Sequence, residues 1–142
     1  MKNSKEVLSS ILKTTQMGQT GIRAVEKYAV RTELKQALSD QRKEYDAIET
    51  QAHAVARERG WQPEELDPGV RKMAEMMTRA RLHGRNNDSK IAAMMVKGNT
   101  RGIIKGYKNI HRYHGHDPRI KELSQKLIDC ENENVKQMER FL

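Results

Sequence analysis

The stretch HRYHGHD, residues 111–117, sets His111, His114, His116 and Asp117 close together. On a helix His111 and His114 share a face. Neutral imidazoles beside a carboxylate bind zinc or nickel. The competing assignment is architectural. Histidines in a last helical turn favour the helix dipole, and Asp117 caps the next helix.

A second feature is a basic stripe: Lys90, Lys97, Arg101, Lys105, Lys108 and Arg112. At 100° per residue they fall in an arc of about 80°. No Asp or Glu occurs between Ile91 and His116 to pair with them. Such a stripe can track phosphates or an acidic protein face. It can also be a solvated face paired with acids of another helix. No aromatics interleave it for base stacking, which counts against specific nucleic-acid binding.

The remaining reactive types point away from catalysis. Cys130, the single cysteine, falls on an apolar stripe, which suits a buried and inert thiol. It cannot form an internal disulfide, which fits a reducing cytoplasm. Met17, Met73, Met76, Met77, Met94 and Met95 offer soft sulfur. At helical spacing methionine more often fills a core, and that is the expectation here. Neither a strand-borne phosphate loop nor a Ser/His/Asp order stands out, so hydrolase and nucleotide chemistry have nothing to rest on.

Helices must position these groups. The chain has 142 residues, 32% charged and only 4% aromatic, the size and composition of one helical domain over 1–142. The net charge of +8 is uneven. Residues 1–69 balance at 11 basic and 11 acidic, whereas residues 70–121 carry 13 basic and 3 acidic. No apolar run is long enough to span a membrane, and MKNSKEVLSS has no apolar core of a secretory signal.

A first helix is expected over about 3–30, with Asn3 and Glu6 as a capping box. Leu8, Ile11, Thr15, Gly18, Ile22, Val25 and Ala29 form its buried stripe. A second helix follows over 32–59, with Thr32 as its cap. Its stripe is Leu34, Leu38, Gln41, Tyr45, Ile48, Ala52 and Val55, and Gly60 ends it. The weak break near residue 31 also permits one continuous helix, which would require a dimer. The loop GWQPEELDPG carries Trp61 as an anchor and leads into a short helix over 68–82, with Asp67 as cap and Pro68 first. A turn is expected at 83–88. A third long helix over 88–113 and a fourth over 117–141 complete the chain, the latter striped by Ile120, Leu123, Leu127, Cys130, Asn134, Met138 and Phe141.

Gly98, Gly102 and Gly106 stand four apart in the third long helix, each after a basic residue. A glycine inside a helix costs about 1 kcal/mol relative to alanine. On the helical wheel the three fall within about 80° of each other, near Ile91 and Met95. The expectation is close packing at mid-bundle against Gly18 and Gly21 of the first helix.

Taken together the chain resembles the ferritin-like superfamily, in particular a bacterial branch of small four-helix proteins. The resemblance rests on LKTTQMGQTGIRAVEKY, ELKQALSDQRKEYDAIETQAHAV, RERGWQPEEL, VKGNTRGIIKGYKNI and DPRIKELSQKLIDCENENVKQMERF. It implies an all-α four-helix bundle of two hairpins joined by a long connection. Active ferritin-like proteins hold two metals with Glu and Glu-x-x-His ligands. Here no histidine has a glutamate three residues before it. Gln16, Gln19, Glu44, Asn99, Glu131 and Asn134 are what the helix centres offer instead. The expectation is therefore no metal, no cofactor and no catalysis. The expected role is that of a cytoplasmic structural or interaction protein, a homodimer, with no membrane contact. One alternative is a binder of nucleic acid or another acidic partner through the basic stripe. A divergent di-metal protein is the second.

Overall fold

The structure, a computed structural model, describes residues 1–82 and 87–142. It is all-helical, with α1 (Ser4–Val25), α2 (Thr32–Arg59), α3 (Pro68–Arg81), α4 (Asp88–Arg112) and α5 (Pro118–Glu139). A 3-10 turn over Glu26–Tyr28 follows α1. Among the described residues no helix is long and apolar enough to cross a membrane. His83 and most of the turn expected at 83–88 lie outside the described residues.

Local chemistry sets the boundaries. Asn3 and Glu6 make the reciprocal capping box. Asp67 and Asp117 each accept backbone N–H groups ahead of Pro68 and Pro118. Gly60 ends α2 in the left-handed conformation at φ 68°. The chain breaks between α1 and α2, so they form two helices rather than one rod. Thr32 is not the cap of α2. Arg31 holds that position without a side-chain bond. Buried Asp88 of α4 instead accepts from the N–H groups of Val30 (2.8 Å) and Arg31 (3.0 Å). Its negative charge thus sits at the positive end of α2.

Three contacts set the directions of the long helices. Asp88 joins the starts of α2 and α4. Lys2 pairs by backbone with Arg112 and His114, joining the start of α1 to the end of α4. Arg59 pairs with Asp117, joining the end of α2 to the start of α5. So α1 and α2 are antiparallel, as are α4 and α5, while α2 and α4 run the same way. The connection of residues 60–67 returns along α1, with Glu64 N–H bonded to Ser9 and Leu66 N–H to Gln16.

The apolar stripes of α1, α2 and α5 are buried as a single cluster with Ile91, Ala92 and Met95 of α4. Trp61 packs against it. In α3 the expectation of methionine as core filler fails. It has no buried residue, and Met73 and Met76 are each 64% exposed, with Val70 and Met77 exposed beside them. Arg71, Ala74, Glu75 and Thr78 are the half-buried positions of this helix. That stripe repeats at helical spacing, so it occupies the inner side and leaves the methionines outside. Met17 is exposed as well, whereas Met95 is core.

The glycines divide by role. Gly106 lies against Ile128 and Gly102 against Glu131, so α4 presses on α5. Gly18 lies against the ring of Tyr45, so α1 presses on α2 there. Gly21 meets only the tip of Met95, at 3.8 Å from where a Cβ would stand. Gly98 looks onto open space. The close approach expected between the first and third long helices therefore falls within each hairpin instead. The reason is angular: residues four apart drift by about 40° per step, so three such glycines cannot all stay on one contact line.

Replacing Gly98 by alanine is expected to raise unfolding stability by about 0.5–1 kcal/mol, from helix propensity alone. Gly106→Ala places a Cβ about 2.6 Å from Ile128 Cγ1, and is expected to cost about 1–3 kcal/mol through overpacking. Urea unfolding of both variants measures the contrast. Equal effects would remove the distinction between them.

Candidate functional site

Mid-bundle, three helices converge on polar groups. Gly18 leaves room for the Tyr45 ring, whose hydroxyl then reaches across to Asn99 Oδ1 (2.7 Å) and Glu131 Oε2 (3.0 Å). Asn134, one turn beyond Glu131, donates to Asn99 Oδ1 at 3.1 Å, and Asn99 donates to Met95 O at 2.7 Å. Gly102 leaves room for the Glu131 carboxyl itself. Glu131 is only 2% exposed, and its Oε1 is buried without a hydrogen-bond partner.

Burial drives the electrostatics. It raises the Glu131 carboxyl to about 8, against the smaller opposing pull of the Tyr45 hydroxyl. Glu131 therefore keeps its proton at neutral pH. Tyr45 has one hydroxyl proton for two neighbours, and Asn99 is the nearer. A protonated Glu131 can donate to the phenol oxygen, giving a chain Glu131 to Tyr45 to Asn99. Burial, then Glu131, raises the Tyr45 phenol well above its ordinary range. Cys130 is buried, and its thiol is pushed up by burial first and by Glu44 next. It is a poor nucleophile.

This donor set does not suit a pair of metal ions. A dinuclear centre of the ferritin-like kind draws on several carboxylates, to neutralise the ions. Here Glu131 is the sole carboxylate of the network, and amides and a phenol surround it. The adjoining cavity, lined by Ser10, Thr14, Gly106, Asn109 and Ser124 among others, measures about 10 Å³. That is room for about one water, not for a substrate.

Gln16 and Gln19 do not join this centre. They face Glu49 of α2 and Glu65 of the connection. Gln16 Nε2 donates to Glu49 Oε2 (2.9 Å) and Glu65 Oε1 (2.8 Å), and Gln19 Nε2 donates to Glu49 Oε1 (3.0 Å). His53 Nε2 lies 2.7 Å from Glu65 Oε1. That hydrogen bond is the main cause holding the Glu65 carboxyl below its ordinary range. One ligand atom each from Glu49, His53 and Glu65 lies within 4.8 Å of the others. Among the described residues it is the only such group. In the sequence Glu49 stands four residues before His53, outside the Glu-x-x-His spacing. Four apart also shares a helix face, so the signal was present.

His111, His114 and His116 are exposed and do not gather in this way. Asp117 is engaged by Arg59 and caps α5. Glu44 is exposed.

The six basic side chains of α4 all point outward, and none forms an ion pair with a described residue. Beside them Ile104 and Tyr107 are exposed, Tyr107 at 45%. Lys105 also borders a groove of about 370 Å³ with Lys2, Lys5 and Lys13. Its ammonium is lowered by burial first, then by Lys2 and Lys13.

A neutral Glu131 makes stability depend on pH. The folded state holds a proton that the unfolded chain releases above about 4.5, the ordinary carboxyl value. The Glu131 contribution is therefore full below that pH and falls as pH rises towards 8, by an amount on the order of a few kcal/mol. Glu131→Gln is expected to flatten this decline. Urea unfolding at about pH 5 and pH 8 measures it, and parallel losses in both proteins would contradict a protonated Glu131.

Comparisons of the chain with protein-family models, with curated proteins and with solved structures find no match.

Proposed function

We propose that this chain is a non-catalytic, ferritin-like four-helix bundle that acts by binding an acidic protein through the basic face of α4. The antiparallel pairs α1–α2 and α4–α5, joined by a long connection, support the ferritin-like reading. The Glu131-x-x-Asn134 spacing in mid-α5 supports it too, with asparagine where metal-binding relatives of that fold carry histidine. In this reading the bundle centre is occupied by a hydrogen-bonded network and serves stability.

One observation carries the interaction role. Lys90, Lys97, Arg101, Lys105, Lys108 and Arg112 form an outward row along α4 that none of the described acids neutralises. Over 22 residues of rise that row is about 33 Å long. It raises the local concentration of an acidic partner and speeds its association. Ile104 and Tyr107 beside it supply apolar contact. Arginine and tyrosine, here Arg101, Arg112 and Tyr107, are enriched at protein interfaces. Exposed Ile104, an aliphatic side chain that cannot stack on a base, favours a protein over nucleic acid, although Tyr107 does place one aromatic ring in the row.

The test is retention on immobilised polyglutamate, followed by salt elution. Wild type is expected to bind at about 50 mM salt and to elute as salt rises. Lys97→Glu, Arg101→Glu and Lys105→Glu combined should flow through with unchanged helix content. Ile104→Ala with Tyr107→Ala should leave polyglutamate binding intact, because that probe offers no apolar surface. Equal retention of wild type and the charge-reversed variant would refute the basic face as the binding surface.

A further inference from the structure

We propose that Glu49, His53 and Glu65 bind one divalent transition cation of the zinc or manganese type, which clasps the 60–67 connection onto α1 and α2. This is independent of the reading of α4, and it uses no residue of the bundle centre. Glu49 and His53 lie one turn apart on α2, and Glu65 comes from the connection, so the ligands span two segments. One imidazole with two carboxylates suits zinc, manganese or ferrous iron. Calcium and magnesium prefer oxygen alone.

The surroundings are built as an ion site requires. Gln16 and Gln19 are each only 5% exposed and stand behind the carboxylates. The Leu66 N–H occupies the Gln16 oxygen at 2.8 Å, so the Gln16 nitrogen must face the acids. It bonds both of them, and Gln19 bonds the second oxygen of Glu49. Every carboxylate oxygen has two lone pairs, so these bonds orient the ligands and leave capacity for a metal. An exposed His–Glu pair by itself contributes little to stability. Two buried amides would not be needed to hold one.

Charge and access agree. Arg71 also acts on Glu65. With His53 neutral, two carboxylates and one guanidinium still leave the cluster negative. His53 and Glu65 are half-exposed, at 37% and 51% of the side chain, so an ion can enter and water can complete its shell. The ion takes the place of the proton shared by His53 Nε2 and Glu65 Oε1. Glu65 lies two residues before Asp67, the cap of α3. Holding it therefore anchors the start of that helix, which has no buried residue of its own.

Calorimetric titration of the metal-free full chain with zinc chloride tests this. One ion per chain is expected, with affinity reduced at least about 10-fold by His53→Ala and by Glu65→Gln. The triple variant His111→Ala, His114→Ala, His116→Ala should bind as wild type does. Zinc should also slow proteolysis within residues 60–67 in wild type and not in His53→Ala. Failure to bind zinc, binding that survives His53→Ala and Glu65→Gln, or binding lost in the triple variant would each overturn the proposal.

Discussion

A single protonated carboxyl in mid-bundle constrains this structure more than any other group. Glu131 sits where water cannot solvate it, so it is stable there only without charge or with full hydrogen bonding. The fold takes the first course, since Oε1 has no hydrogen-bond partner, and the neighbouring helices supply the rest. Gly102 gives the carboxyl its space, Tyr45 meets it from α2, and Asn99 and Asn134 complete the chain of bonds. Tyr45 is itself placed by a neighbour's smallness, since Gly18 makes room for its ring. Polar groups so linked specify one register of α2, α4 and α5, because a shift of one residue would strand several of them.

The same economy of space explains the unequal helices. The four long helices bury striped faces and share one cluster, whereas α3 lies along the outside and leaves its methionines in solvent. Its inner side carries only the half-buried Arg71, Ala74, Glu75 and Thr78. The Gln16 amide, the Glu49 and Glu65 carboxylates and the His53 imidazole gather where the connection crosses α1 and α2. The chain thus has two polar centres of opposite kind. One is buried and holds its charge neutral. The other is half-open, and there the bond from His53 holds the Glu65 carboxyl below its ordinary range.

Much of this was legible along the chain. Asn3 with Glu6, Asp67 with Pro68, Asp117 with Pro118, and Gly60 all mark helix ends where the structure has them. The stripes of α1, α2 and α5 are buried at every position but Gly18, which is half-buried. Less legible was anything that joins distant segments. Asp88 reads as an ordinary first-turn acid, yet it caps the start of α2, which Thr32 does not. Three evenly spaced glycines read as one seam, yet Gly98 has turned out of it. Gln16 and Gln19 read as members of the central layer, yet they face Glu49 and Glu65.

The sequence by itself determined the helices, most of their ends, the buried faces of α1, α2 and α5 and the excess of positive charge on α4. All of these follow from short-range spacing, dipole and capping chemistry, which neighbours within a few residues decide. Only the tertiary structure decided that Glu131 keeps a proton, that Met73, Met76 and Met77 stay outside, and that Glu65 meets His53. Those outcomes depend on which side chains from remote segments share a space, and on how much water remains there. Neither quantity is encoded in any one stretch of the chain.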